Sequence, residues 1–349
     1  MKLIHCADLH LGAPIRSLPA EISNEKKSAC RNSFKRMVEY AAKNDVSVIL
    51  MAGDIFDADS PKQKTDVDYF YDVIRTNPQI DFLYLRGNHD SSGERTDLTN
   101  LKCFSQIWSR YDYGNISVYG LELSNENSDT VYSTLNTERS RKNIVMLHGQ
   151  IGDEINIPAL RNKNIDYLAL GHVHSYSSGT IDSRGSYAYS GCLEGRGFDE
   201  TGEKGFIVVD TDGATVTHRF IPFSEDPIYE ESVDISEINS SIIAAQKLQN
   251  EIYLKKNGIY RINLTGETDI DTDSQAIADD LERTFSAYCK YITVKARTSV
   301  RIDYSSYEND LSLKGEFIRS VKNDPTLSEK EKNQVIAYGL RALLGKPIE

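Results

Sequence analysis

The stretch Val46–Asp57, VSVILMAGDIFD, is an apolar run that stops abruptly at a glycine and two acids. A short run rich in Val, Ile and Leu suits a strand buried on both faces, as in a sheet covered by helices. Four other runs follow the same plan: Leu3–Ala7 before Asp8, Phe82–Leu85 before Asn88, Ile144–Leu147 before His148, and Tyr167–Leu170 before His172. Between them, Ser28–Asn44 carries Phe34, Met37, Val38 and Ala41 at helical spacing, and Asp66–Thr76 carries Val67, Phe70, Val73 and Ile74. Both read as crossover helices, so the fold class is α/β. Ligands of such sheets collect beyond the carboxyl ends of the strands, where all five polar clusters are expected to meet in one pocket.

With 349 residues the chain has room for about two domains. At 39% hydrophobic and 26% charged it is too apolar for disorder, and its mean hydropathy of -0.46 is too polar for a membrane protein. The run Val46–Ala52 is far shorter than the roughly 18 residues of a spanning helix. Met1–Leu11 is interrupted by His5, Asp8 and His10, so no signal peptide is expected. Five scattered cysteines, Cys6, Cys30, Cys103, Cys192 and Cys289, argue against a disulfide framework and fit a reducing cytoplasm. The net charge of -12 has the wrong sign for a protein that grips nucleic acid alone. Residues 1–222 and 223–349 each carry -6, and two divalent cations would bring the first part to -2.

Beyond the last run, Ser186–Phe223 turns strand-rich and ends in a hairpin, Phe206–Asp210 and Thr215–Ile221, around Asp212-Gly213. The expected organisation is a catalytic domain over 1–223, a small α+β capping domain over 224–305 and a helical segment over 306–349. Ser224–Pro227 reads as a linker. The capping domain takes its strands from Ile259–Leu264 and Ile292–Arg297 and its helix from Ser274–Tyr288. Two helices are expected in the tail, Leu311–Lys322 and Ser328–Leu344. The second opens with the capping box Ser328/Glu331 and closes at Gly345 and Pro347. Its stripe of Val335, Ile336, Leu340, Leu343 and Leu344 faces either its own domain or a partner.

Five of the seven histidines, His10, His89, His148, His172 and His174, stand at the strand ends beside Asp8, Asp54, Asn88 and Asp90. Two divalent ions roughly 3.5 to 4 Å apart need a bridging carboxylate, further oxygen and imidazole donors, and open positions for water and a phosphate oxygen. Asp54 is placed to bridge. Carboxylate, amide and imidazole without thiolate favour Mn²⁺ or Fe, with Zn²⁺ able to compete. The reaction served by such a pair is in-line attack of a metal-activated hydroxide on phosphorus.

Asp8-x-His10, Gly53-Asp54-x-x-Asp57, Gly87-Asn88-His89-Asp90, His148 and Gly171-His172-x-His174 resemble, intact and in order, the five motifs of the calcineurin-like metallophosphoesterases. The resemblance implies a core of layered β-sheets flanked by helices. It also implies one ion on Asp8, His10, Asp54 and His174, a second on Asp54, Asn88, His148 and His172, and catalytic roles for His89 at the substrate and Asp90 as its orienter. The opening His5-Cys6-Ala7-Asp8-Leu9-His10-Leu11-Gly12 and Gly53-Asp54-Ile55-Phe56-Asp57 resemble the SbcD-type DNA repair exonucleases. Gly191–Glu200 and Tyr338–Gly345 look most like the YhaO-like branch. The implied partners are DNA and an SbcC-like or YhaN-like coiled-coil ATPase, with a homodimer left open and no membrane. Two rival readings keep the motifs: a phosphatase of nucleotides or other phosphate esters, and a regulatory subunit of a DNA-bound ATPase.

Asp57 reads either as support of the site or as a helix cap, His5 as a packed histidine, and His218 as a surface one. Gly191–Gly205 holds five glycines with Arg196 and Lys204 between them and is read as a loop on the substrate side, with Arg196 assigned to substrate. Arg139, Arg141 and Lys142 read as a solvated loop cluster.

Overall fold

Each of the five apolar runs is a strand in the computed structural model, which describes residues 1–57, 63–90, 98–269, 272–301 and 310–343. In chain order the strands of the first part are β1 (Lys2–Cys6), β2 (Val46–Ala52), β3 (Asp81–Leu85), β4 (Leu101–Cys103), β5 (Ser109–Tyr113) and β6 (Ile116–Gly120). They continue with β7 (Lys142–His148), β8 (Tyr167–Gly171), β9 (Ser177–Thr180), β10 (Ser186–Tyr189), β11 (Gly205–Asp210) and β12 (Thr217–Pro222). Two six-stranded sheets result, in the orders β12-β11-β1-β2-β3-β4 and β5-β6-β7-β8-β10-β9. The four strands from β1 to β4 are parallel, as are β6, β7, β8 and β10, while β11 and β12 on one side of the first sheet and β5 and β9 at the two edges of the second run antiparallel to their neighbours. The layered α/β class read from the sequence is the one observed.

Alternation along the strands divides the apolar residues between two faces. Leu3, Val48, Leu50, Val118, Ile144, Met146 and Tyr167 fill the space between the sheets. Ile4, Ile49, Met51 and Phe82 face the opposite way and meet Phe34, Met37 and Phe70 from α1 (Ala20–Lys43) and α2 (Gln63–Arg75). The outer face of the second sheet, with Val145, Leu147 and Leu168, is covered by Val131 and Leu160 of the short helices α3 (Val131–Thr134) and α4 (Ile157–Leu160).

α1 begins eight residues before the expected start. Its first turns bury Ser23 and Lys26 rather than apolar side chains. Lys26 is fully buried, and its ammonium reaches the carboxylate of Glu194 at 2.5 Å and the carbonyl of Asp226. A buried lysine is tolerated because it is paired, and such pairing has no trace in local periodicity. The same cluster changes the reading of Ser224–Pro227. Ser224 and the backbone of Glu225 donate to Glu194, so this segment is anchored rather than a free linker. His218 is half-buried, its ring 5.3 Å from that of Tyr167, and is not a surface residue. Nor is Arg141 simply solvated: it donates to Ser117, Asp112 and two backbone carbonyls, while Lys142 donates to the carbonyls of Thr211 and Gly213.

The chain divides into two compact units, Met1–Ile228 and Tyr229–Glu349. The second contains β13 (Ile228–Asp234) from Tyr229 onward, α5 (Ser241–Glu251), β14 (Ile259–Thr265), β15 (Glu267–Asp269), α6 (Ser274–Phe285), β16 (Tyr291–Ala296) and β17 (Ser299–Arg301). β13, β14 and β16 form a sheet whose apolar face packs Ile262, Val294 and Val233 against Ala244, Leu248, Ile277 and Leu281 of the helices. Asp273 caps α6 by accepting from Ala276 N at 3.0 Å. The tail forms α7 (Leu313–Lys322) and α8 (Glu329–Leu343), the latter opened by the reciprocal Ser328/Glu331 capping box. Its apolar stripe splits: Ile336 and Leu340 pack on Ile318, whereas Val335 and Leu343 are each 39% exposed. Leu344, Gly345 and Pro347, and the expected boundary at 305/306, lie outside the described residues. Among the described residues no helix is long and apolar enough to cross a membrane.

Candidate metal centre

Strand ends that turn sharply create the centre. Asp8, His10, Asp54 and His172, all without the freedom of glycine, have left-handed backbone with φ of 54°, 43°, 53° and 101°. L-residues adopt this region at a cost of about 1 to 2 kcal/mol each, and such outliers cluster at functional sites. The turns are held by hydrogen bonds from Asp8 N to Gly53 O at 2.9 Å and from His10 N to Asp54 O at 3.0 Å. Two glycines are required by close approach. A Cβ on Gly87 would lie 2.2 Å from Asp54 Oδ1, and one on Gly171 would lie 2.0 Å from the carbonyl oxygen of Ala52.

Around Asp54 the side chains predicted from the motifs come together. Asp54 Oδ2 lies 3.3 Å from His148 Nε2 and 3.8 Å from His10 Nε2, between the two groups. On one side, His10 Nε2 faces His174 Nε2 at 3.3 Å, with Asp8 completing a cluster of ligand atoms. On the other, Asn88 Oδ1 lies 3.0 Å from His148 Nε2 and 3.3 Å from His172 Nδ1. His148 Nδ1 is 2.8 Å from the carbonyl oxygen of Ala52, which can only accept. That nitrogen therefore carries hydrogen, and Nε2 is the atom turned toward two oxygens.

Lone pairs converging in this way require positive charge. In the protein alone a proton supplies it. Burial would lower the pKa of His148, but the hydrogen bond and charge of Asp54 outweigh this and raise it to about 9. Burial would raise Asp54, yet His148 and the Asp54 Oδ1 bond from His89 N bring it down to about 2. His10 is pushed down to about 3 by burial and by Arg196, and its buried Nδ1 has no hydrogen-bond partner among the described residues. Burial lifts Asp8 to about 6, although its oxygens accept from His172 N at 2.9 and 3.1 Å. A donor set of hard oxygens and imidazoles, facing inward and short of protons, fits a pair of divalent cations.

The other expected residues are placed as follows. His89 is exposed, its ring centroid 5.2 Å from that of His10, at the solvent side of the cluster. Asp57 joins His10 and His89 in a second group of ligand atoms that lie within 4.8 Å of one another. Asp90 takes its donors from Phe56 N at 2.8 Å, Gly87 N at 2.9 Å and the Tyr84 hydroxyl. Its carboxylate thus ties the third motif to the second through the backbone, in place of the expected bond to the His89 ring. His5 is packed as expected, 2.8 Å from the Tyr167 hydroxyl.

Arg196 reaches the centre from behind. Its Nε and Nη2 grip Glu200, whose Oε1 lies 2.7 Å from His174 Nδ1. Glu200 was not singled out by the sequence reading. It stands 26 residues from His174 in a segment without regular periodicity, and only burial and pairing mark it. Lys204, also buried, donates to the carbonyl of His174 at 2.7 Å.

The sequence profile of the calcineurin-like phosphoesterases matches residues 1–176, just over half of the chain. The chain belongs to this family. It is accordingly a metal-dependent phosphoesterase, and within its described residues Asp8, His10 and His174, and Asp54, His148 and His172, form groups that could hold a metal ion. The phosphoesterase is 24% identical over 352 residues to the DNA double-strand break repair protein Mre11 of Sulfolobus acidocaldarius, covering 90% of this chain and 91% of the other. It is also similar to the uncharacterized metallophosphoesterase YhaO of Bacillus subtilis, 28% identical over 286 residues that cover 74% and 69% of the two chains. A solved dimetal phosphatase from Danio rerio superposes with a TM-score of 0.42 at 12% identity, over 60% of this chain and 91% of that one.

Proposed function

We propose that this phosphoesterase is a DNA nuclease: a two-cation phosphodiesterase that cleaves DNA in double-strand break repair. The observation that carries the reading is the convergence of His10, His148 and Asn88 on Asp54, in a chain whose likeness to a DNA repair protein extends over nine-tenths of its length. Asp8, His10, Asp54 and His174 are the residues to hold one cation, and Asp54, Asn88, His148 and His172 the other. Mn²⁺ is the cation the donor set favours, ahead of Fe and Zn²⁺. When bound, such a pair lowers the pKa of water and stabilises charge on phosphoryl oxygens.

The chain's own residues do the rest. Asp54 accepts the His89 backbone N–H, which fixes the loop and leaves the exposed imidazole free to meet a scissile phosphate. His89 positions that phosphate or protonates the leaving oxygen. Asp90 keeps this loop against Phe56 and Gly87. Arg196, assigned to substrate from the sequence, is engaged by Glu200 and adds its charge at the rear of the pocket. With a net charge of -12, DNA affinity of the chain alone is weak, and a coiled-coil ATPase supplies the backbone contacts. The helices α7 and α8, with exposed Leu313, Val335, Tyr338 and Leu343, are its docking surface. Five free thiols, four of them buried, support a reducing cytoplasmic setting.

The test is hydrolysis of end-labelled linear and closed circular DNA by the full chain in Mn²⁺, with chelator, Asp54→Ala and a generic phosphomonoester alongside. Loss of DNA that requires both Mn²⁺ and Asp54 is expected, and the circular substrate separates end-dependent from internal cutting. Cleavage of the phosphomonoester alone would replace the nuclease by a phosphatase. Inertness toward both substrates, persisting when the ATPase is added, would leave a regulatory subunit.

A further inference from the structure

We infer that Glu200, clamped by Arg196, is a positioning residue that selects the cation-binding form of His174 and thereby sets the affinity of one cation position independently of the other. This rests on the two-cation reading above and adds a residue outside the five motifs.

The geometry is specific to this side of the centre. Glu200 Oε1 takes the His174 Nδ1 hydrogen at 2.7 Å, and the Glu200 side chain is only 5% exposed. An ionised carboxylate can only accept, so the shared proton belongs to His174 Nδ1, and Nε2 is left with its lone pair toward His10 and Asp8. Glu200 is kept ionised and oriented by Arg196, which donates from its backbone N at 2.8 Å and from Nε and Nη2 of its guanidinium. The segment Gly191–Gly205 therefore cradles His174 rather than a phosphate: Glu200 holds the ring while Lys204 and Cys192 N hold the carbonyl. His148, across Asp54, has the neutral Ala52 carbonyl behind it, and no carboxylate among the described residues is hydrogen-bonded to its Nδ1. A carboxylate behind a ligating imidazole fixes its tautomer and raises its basicity, an effect typically worth about 10- to 100-fold in metal affinity.

The test uses Mn²⁺ titration of the full chain, followed by calorimetry, together with the ¹⁵N spectrum of the histidine rings before Mn²⁺ is added. Wild type is expected to bind Mn²⁺ in two classes, one of them removed by His174→Ala, and to show His174 as the Nδ1–H tautomer. Glu200→Gln, whose amide both donates and accepts, is expected to weaken that same class by about 10- to 100-fold, leave the other unchanged, and lose the tautomer preference. Arg196→Lys keeps the charge but opens the fork, and weakens the same class by a smaller factor; it is the second arm should Glu200→Gln fail to fold. Unchanged affinity, equal weakening of both classes, or an unchanged tautomer overturns the inference. Wild type that binds two Mn²⁺ yet leaves DNA intact defeats the DNA reading and not this one, whereas wild type that binds none defeats both.

Discussion

His174 and His148 stand on opposite sides of Asp54 and are proposed to do the same job, but they are held by different means. His148 belongs to β7 and is braced by the carbonyl of Ala52 at the end of β2, so its support is the joint between the two sheets. His174 follows β8 and is braced by Glu200 and Lys204 from a segment with no strand or helix across it. One support is neutral and made by backbone that packs with the core; the other is ionic and made by side chains that must be paired to be buried. The lesson is that one ligand shell can draw its rigidity from two sources with different sensitivities to mutation and pH.

Asp54 is the residue that the two halves share. Asp54→Asn is expected to abolish both classes of Mn²⁺ binding and bring DNA hydrolysis to the background rate; retention of one tight Mn²⁺ would refute the bridging role. Next come the single-sided changes. His174→Ala and His148→Ala should each reduce the calorimetric stoichiometry from two Mn²⁺ to one, and a variant that loses both would show the halves to be a single unit. A third step leaves the cations alone: His89→Ala is expected to lower kcat by about 10²- to 10⁴-fold with both Mn²⁺ still bound. Full activity in that variant would end its assigned role.

The smallest effect is graded, and pH reads it. A cation must displace the proton that His148 holds up to about pH 9, so affinity of its class should rise with pH until about 9 and then level. His10, pushed down to about 3, is already free of its proton at neutral pH, and the carboxyl of Asp8 at about 6 is the group that competes on the other side. Affinity of the His174 class should therefore fall as pH drops through about 6. Each profile should change by no more than about tenfold per pH unit for a single proton. Identical profiles for the two classes, measured by Mn²⁺ titration from about pH 5 to about 9, would erase the distinction.

How much of this was legible follows the same division. The run Val46–Ala52 coincides with β2 residue for residue, because a strand buried on both faces writes its burial into consecutive letters. The convergence of Asp8, Asp54, Asn88, His148 and His172 followed from their common position after such runs. Glu200 and Lys26 were not legible in this way. Each is a charged residue buried against a partner far along the chain, His174 and Arg196 in one case and Glu194 in the other, and pairing across sequence leaves no period. Asp90 was legible as a member of the third motif, but its donors, the backbone N–H groups of Phe56 and Gly87 and the Tyr84 hydroxyl, are contacts that the letters do not display. For the same reason the glycines and cations of Gly191–Gly205 read as a substrate loop, and the contacts of Glu200 and Lys204 with His174 had no signal in them.

The left-handed turns at Asp8, His10, Asp54 and His172 have a consequence for the protein's evolvability. At these positions the relaxed choice for the backbone is glycine or asparagine, and His10 in addition keeps a buried nitrogen without a partner among the described residues. A laboratory selection that rewarded heat resistance and ignored hydrolysis would therefore harvest its gains here, and would erase the catalyst while improving the fold.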